Sequence, residues 1–208
     1  RRFKFLKHAL SPYFLMVLLS IPFNKLPCFT QKVGELGLTK EQLHDGFGNH
    51  NGNFVSGMDE VIRKLYETDH DLIIISDSHR VNIEDFLKKN LVFDLFEEIF
   101  CKPASITEEG KILMSEIPTE WGGPCLYGGR NLCKGSTMKY FYKNRNYQEI
   151  KYFGDGDNDL CPALSLSEKD TVYPRKDFKL SKHLASGEFE IKAKIVSWND
   201  GSDILASL

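Results

Sequence analysis

The sequence predicts an α/β fold organised on a parallel, doubly wound sheet, and three observations carry that expectation. Leu72, Ile73, Ile74 and Ile75 form an unbroken apolar run, the pattern of a strand buried on both faces. Helical patterns flank it, at 58–68 with Met58, Val61, Ile62 and Leu65 on one face, and at 81–89. A second short strand, 150–153, stops at Gly154 and is followed by carboxylates on alternate residues, Asp155, Asp157 and Asp159. Polar groups at the carboxyl end of a buried strand are the arrangement by which open α/β sheets bind ligands.

Composition sets the outer limits. A chain of 208 residues with 41% hydrophobic and 27% charged content is one domain with an elaboration, or two small ones, with a real core. A net charge of -2 gives no pull toward nucleic acid or an anionic membrane surface. Five scattered cysteines argue against a disulfide framework and for a reducing, cytoplasmic setting. Cys125 and Cys133 are too widely spaced, and too poor in nearby partners, to read as a zinc knuckle. The sequence has no internal repeat and no low-complexity segment.

Taken in order, the chain starts at Arg1 rather than Met, which is expected of a fragment, a processed chain or an incomplete gene model. Arg1, Arg2, Lys4 and Lys7 precede an apolar stretch, 9–23, broken by Pro12. That imitates a secretory signal but is short for a membrane span, and a buried helix or a mis-assigned exon is the preferred expectation. Thr39 with Gln42 reads as a capping box opening a short helix, and the Gly- and Asn-rich 46–57 as a loop. The helix at 58–68, the strand at 71–76 and the helix at 81–89 are followed by another apolar segment, 93–100. Residues 102–127 are irregular, with a hairpin expected around Glu109-Gly110. A helix opens at 131–135 and runs to about Tyr142, ahead of the acidic strand-turn. Short strands are expected at 171–174 and 194–198, a turn at 199–201 and a terminal helix from Ser202.

Carboxylates crowded this closely repel one another unless a cation sits among them, and hard oxygen ligands suit magnesium; a solvated Asp/Gly turn is the other reading of such composition. A calcium loop of the EF-hand type is excluded by spacing: its glycine and final glutamate positions hold Leu160 and Leu166. Two further polar groups stand at comparable places, Ser76 after a strand and Lys134 at a helix start. Singly, such residues are commonly a cap and a solvated lysine. Together with the acidic turn they make a coherent set for phosphoryl transfer. A hydroxyl donates to a phosphate oxygen, a lysine offsets its charge, and acids hold magnesium.

In this order on this pattern, Ser76, Lys134 and 155–159 resemble the second, third and fourth motifs of the haloacid dehalogenase-like hydrolases. Tyr152-Phe-Gly-Asp-Gly-Asp-Asn-Asp-Leu-Cys-Pro162 looks like the fourth motif of the phosphoethanolamine/phosphocholine and pyridoxal phosphate phosphatase family. So do Ile75-Ser-Asp77, Asn131-Leu-Cys-Lys134, Val172-Tyr-Pro-Arg175 and Val196-Ser-Trp198. The resemblance covers about 27–208 and implies a Rossmann-like parallel sheet with a helical cap. It implies a magnesium-dependent phosphomonoesterase acting on a small phosphate ester through an aspartyl-phosphate. Asp155 and Asp159 are the expected metal residues, Asp159 orienting Lys134 and the metal's waters. Ser76, Asp77 and Lys134 are the expected substrate contacts, with a helix N-cap as the other reading of Asp77.

The departures shape the rest of the expectation. The superfamily's first motif, an apolar strand followed by Asp-x-Asp, supplies nucleophile and general acid. No aspartate precedes Asp45, and Asp69 and Asp71 stand before their strand rather than after it. The motif and the central strand that carries it are therefore expected to be missing, and losing that strand would expose two sheet edges. Residues 1–26 are expected to be unrelated, 27–56 a partial cap and 57–208 the core. His79 stands where the family tends to have Asn, and 116–129 keeps only Cys125 of the histidines and cysteines expected there. Three readings remain: a phosphatase whose sequence lacks its nucleophile here, a non-catalytic phosphate- and magnesium-binding short isoform, and a secreted or anchored variant. The substrate and the oligomeric state are not specified.

Overall fold

Along the longest strand among the described residues, successive side chains pack on opposite, equally buried faces, and that alternation sets the layers. A computed structural model of the chain describes residues 13–17, as backbone, and 54–208 except 124, 128–131, 144 and 146. β2 (His70–His79) sends Leu72 and Ile74 to one face and Ile73 and Ile75 to the other. β6 (Glu149–Gly154) does the same with Tyr152 and Phe153, and β7 (Thr171–Pro174) with Val172 and Tyr173. Each face therefore needs its own helical cover. α1 (Met58–Glu67), α2 (Arg80–Lys89) and α6 (Gly201–Leu205) bury Val61, Ile62, Leu65, Ile83, Leu87 and Ile204 on one side. α3 (Lys134–Tyr142) and α4 (Leu160–Ser165) bury Met138, Phe141, Leu160 and Ala163 on the other, where α5 (Lys179–Ala185) adds Leu180.

Among the described residues the main sheet runs β3-β2-β1-β6-β7-β8, where β1 is Tyr13–Val17, β3 is Phe96–Lys102 and β8 is Lys194–Ile195. Every pairing in it is parallel. Counting only its own strands, this is the doubly wound order 3-2-1-4-5-6, whose switch point lies where β1 meets β6. β4 (Ala104–Ile106) and β5 (Ile112–Met114) form the expected hairpin, with Gly110 at φ 78 in its turn.

β1 corrects two expectations. The central strand is present, and part of 9–23 is strand rather than buried helix. Tyr13 pairs with His70 and Glu149, and Val17 with Phe153, so these five residues fill the slot between β2 and β6. Two strands with unpaired edges on both sides of that slot outweigh local helical propensity. The first motif's acids are a separate matter: Val17 is followed in sequence by Leu18, Leu19 and Ser20. The expected partial cap, apart from residues 54–56, and the expected helix at Thr39 lie outside the described residues.

The carboxyl-terminal family motifs are structural. Trp198 is buried, donates from Nε1 to the Tyr173 carbonyl at 2.9 Å, and bridges to Arg175. The Arg175 guanidinium lies 4.4 Å from the Phe178 ring and 5.5 Å from the Trp198 ring, and Tyr173 stacks on Phe153 at 4.3 Å. No helix among the described residues is long and apolar enough to cross a membrane.

Candidate functional site

The acidic turn follows β6 directly at the switch point. The last residue of β6, Gly154, must lack a side chain because an added Cβ would lie 2.7 Å from both Cβ and Cγ of Asp159. Residues Asp157–Asp159 form one 3₁₀ turn, and α4 follows at once. This tight turn gives the three carboxylates different fates, although their spacing makes them look equivalent.

Asp159 is 1% exposed and its carboxylate is fully engaged. Oδ1 accepts from Lys134 Nζ at 2.8 Å and from the Tyr152 hydroxyl at 2.7 Å. Oδ2 accepts from the backbone N–H groups of Asp155 and Gly156, both at 2.8 Å. Four donors saturate its acceptor sites, so Asp159 fixes the loop's shape and the lysine's position at once. Burial, then the neighbouring Asp159 charge, pushes the Tyr152 hydroxyl well above its usual range and keeps it a donor. Asp155 has its backbone fixed at both ends, since its carbonyl also accepts from the Leu180 N–H at 3.0 Å. Asp157 turns to α5, accepting from Lys179 and from His183 Nε2 at 3.0 Å. Burial raises its pKa, but the bonds and charges of Lys179 and His183 more than offset this and hold it below the usual carboxylate range.

Lys134 is the first residue of α3 and is 7% exposed, paired with Asp159 rather than solvated. At the end of β2 the register breaks between Ile75 and His79. Ser76 Oγ accepts from the Ser78 N–H at 3.1 Å, which leaves its own hydrogen available to donate. Asp77 Oδ2 accepts from Asn158 Nδ2, tying the β2 end to the acidic turn across the sheet. Asp77 Oδ1 is buried with no hydrogen-bond partner among the described residues. Burial raises the Asp77 pKa, and the Lys134 charge and the Asn158 bond oppose that rise. The N-cap of α2 is His79, whose Nδ1 accepts from the Asn82 N–H at 3.3 Å, so Asp77 does not cap that helix. Burial, then the Lys102 charge, pushes His79 down to about 4. Asp71, expected to stand before the strand, is the second residue of β2 and accepts from the Tyr147 hydroxyl at 2.8 Å, at the end of the strand remote from Asp77.

The structure thus joins Asp77 through Asn158 to the turn that carries Asp159 and its partner Lys134, with Ser76 next to Asp77 in β2 and Asp155 at the start of the turn. Tyr152 and Asn158 were not singled out from sequence, though a tyrosine in a doubly buried strand must find a partner for its hydroxyl. The premise that Cys125 and Cys133 are far apart and without partners is corrected by the fold. With Cys161 they form one group whose sulfur atoms all lie within 4.8 Å of one another, because the folding of α4 onto α3 supplies the missing partner.

The model of the family described as Putative Phosphatase matches residues 31–208. The mouse protein named pyridoxal phosphate phosphatase PHOSPHO2 is 32% identical over 165 residues, 74% of this chain and 67% of its own length. A zebrafish probable phosphatase phospho1 is 32% identical over 151 residues, 67% of this chain and 53% of its own. The chain therefore spans between about half and two thirds of these relatives. A phosphoserine phosphatase crystal structure in apo form superposes with a TM-score of 0.56 over 94% of this chain and 98% of its own, at 11% identity, a likeness of fold alone.

Proposed function

The chain belongs to the Putative Phosphatase family, and from that premise we propose that it carries the phosphate- and magnesium-binding apparatus of a phosphomonoesterase for small phosphorylated metabolites. The observation that carries the reading is the buried Lys134–Asp159 pair, joined through Asn158 to Asp77, at the carboxyl ends of β6 and β2. Lys134 spends one donor on Asp159 and keeps two for phosphate oxygens. Ser76 donates its hydroxyl hydrogen to another oxygen. The unpartnered Asp77 Oδ1 accepts from a hydrogen-bond donor on the substrate's organic part. Phosphorylated amines and pyridoxal phosphate are the substrate classes the family suggests.

The residues present fit a hard divalent cation, since the loop 155–159 offers carboxylate oxygens where magnesium takes one or two. Asp155 would hold the ion directly, while Asp159, its oxygens taken by protein donors, would serve it by fixing Asp155 and Lys134. Bound magnesium would supply neutralisation of charge on the phosphoryl oxygens.

A second reading is favoured by one specific observation: no aspartate precedes Asp45 in the sequence, and β1 is followed by Leu18, Leu19 and Ser20. Without a carboxylate to attack phosphorus, this chain binds phosphate and does not form the aspartyl-phosphate. Calorimetric titration of the full chain with inorganic phosphate, with and without magnesium, tests both readings beside a hydrolysis assay on pyridoxal phosphate. Magnesium-enhanced phosphate binding, weakened about tenfold or more by Asp155→Asn and by Lys134→Met, is expected. Phosphate binding absent in both conditions overturns the site. Magnesium-dependent hydrolysis that Lys134→Met abolishes overturns the loss of the nucleophile.

A further inference from the structure

Next in sequence to Lys134 and close after Asp159 stand members of a second constellation of different chemistry. Cys125, Cys133 and Cys161 are all free thiols, and their sulfur atoms lie within 4.8 Å of one another. Cys133 Sγ and Cys161 Sγ are 3.5 Å apart. We propose that these three cysteines are a zinc site, three thiolates holding one Zn²⁺ with a water molecule as the fourth ligand.

Geometry and local construction both favour an ion. A tetrahedral zinc with Zn–S bonds of about 2.3 Å places its sulfurs about 3.8 Å apart, inside the range these thiols already occupy. A disulfide would consume two of the three and leave the third without a role. The three sulfurs come from separate segments: the loop before α3, the residue that precedes α3, and the first turn of α4. The backbone is cut away to let them meet. A Cβ on Gly135 would lie 2.7 Å from Cys161 Sγ, and a Cβ on Gly122, at φ +87, would lie 2.5 Å from the Cβ of Ser136 and 3.6 Å from that of Cys133. Among the described residues no carboxylate or imidazole joins the group, so the donor set is wholly soft. Such a set selects zinc over magnesium, just as the oxygen donors of the acidic turn select the reverse.

The placement assigns the ion a mechanical role. Cys133 is covalently next to Lys134, and Cys161 follows Asp159 by two residues. An ion across Cys133 and Cys161 would staple the start of α3 to α4, the same two segments that the Lys134–Asp159 bond joins. Binding exchanges thiol protons, released to solvent, for metal–sulfur bonds, with no change in oxidation state.

The test is metal binding by the full chain purified under reducing conditions. One zinc per chain is expected, competed from a chromophoric chelator. Cobalt in its place should give sulfur-to-metal charge-transfer absorption and the intense visible bands of a tetrahedral site. Cys133→Ser and Cys161→Ser should each weaken zinc affinity by at least about tenfold. In the unaltered chain, zinc should protect Cys125, Cys133 and Cys161 from alkylation together, a readout independent of whether the variants fold. Zinc affinity unchanged in both variants overturns the proposal, as does alkylation of the three cysteines at the same rate with and without zinc. A Cys133–Cys161 disulfide in freshly lysed cells, with no zinc taken up after reduction, overturns it as well.

Discussion

Replacing Asp159 by asparagine removes one charge and almost no volume. The remaining carbonyl oxygen can still accept from the N–H groups of Asp155 and Gly156. The new amide group then faces Lys134 Nζ and the Tyr152 hydroxyl, which lie 2.8 and 2.7 Å from Oδ1. Tyrosine can turn its hydrogen away and accept, but an ammonium has no acceptor to offer. A cation that is 7% exposed is left unpaired, at a cost of about 3–5 kcal/mol. Lys134→Met is milder, about 1–3 kcal/mol, because Asp159 keeps three donors. In the double variant the stranded cation is gone, so its loss should fall short of the sum of the single losses by about 2 kcal/mol or more. Urea unfolding of the four proteins at pH 7, followed by circular dichroism, measures this directly. Additivity within about 0.5 kcal/mol would show that the two side chains do not act as a pair, and would remove the basis for a preorganised lysine.

Two further predictions concern stability. Burial holds His79 down to about 4 against an ordinary 6.5, so the unfolded chain binds more protons than the folded one between these values. The stability that neutral His79 confers is present above pH 6.5 and is lost as pH falls toward 4, with about 2 kcal/mol gone between pH 7 and pH 5. His79→Asn keeps an acceptor for the α2 N-cap and should flatten that part of the urea-measured profile; parallel profiles for the two proteins would contradict the assignment. At Gly201, a Cβ would lie 2.1 Å from the Gly57 carbonyl carbon and 2.2 Å from its oxygen, so Gly201→Ala must drive the amino ends of α6 and α1 apart. A loss of at least about 3 kcal/mol is expected, a fall of roughly 6–12 °C in Tm. Gly123→Ala, with nothing within 4 Å, should leave Tm unchanged; equal Tm values for the two alanine variants would refute the packing argument.

Legibility followed burial. β2 and β6 are readable because strands covered on both faces need nearly continuous apolar runs, and the β4–β5 hairpin is readable because Gly110 takes the positive φ of its turn. α4 and α5 left no usable pattern: each spans fewer than two full turns, and α4 carries Pro162 within its first turn. β1 defeated local reading for a different reason. Nothing in 9–23 favours strand over helix strongly, and the deciding term is the row of unpaired backbone groups that β2 and β6 would otherwise present. The basic residues ahead of it pointed away from a sheet's centre.

The site was legible as a set of residue types and illegible as a division of labour. Alternate spacing makes Asp155, Asp157 and Asp159 interchangeable on paper, yet the 3₁₀ turn sends Asp157 outward to Lys179 and His183 and folds Asp159 inward. Only the inward carboxylate can gather donors from its own loop, from the strand beneath it and from a helix twenty-five residues earlier. That convergence has an energetic consequence. Lys134 and the Asp155 loop are already held in place by bonds internal to the protein, so in the proposed site a phosphate would meet donors that need not be ordered first. The same saturation leaves Asp159 the least able of the three acids to reach the proposed metal directly. Its part in the proposed site would be to hold still Asp155 and Lys134.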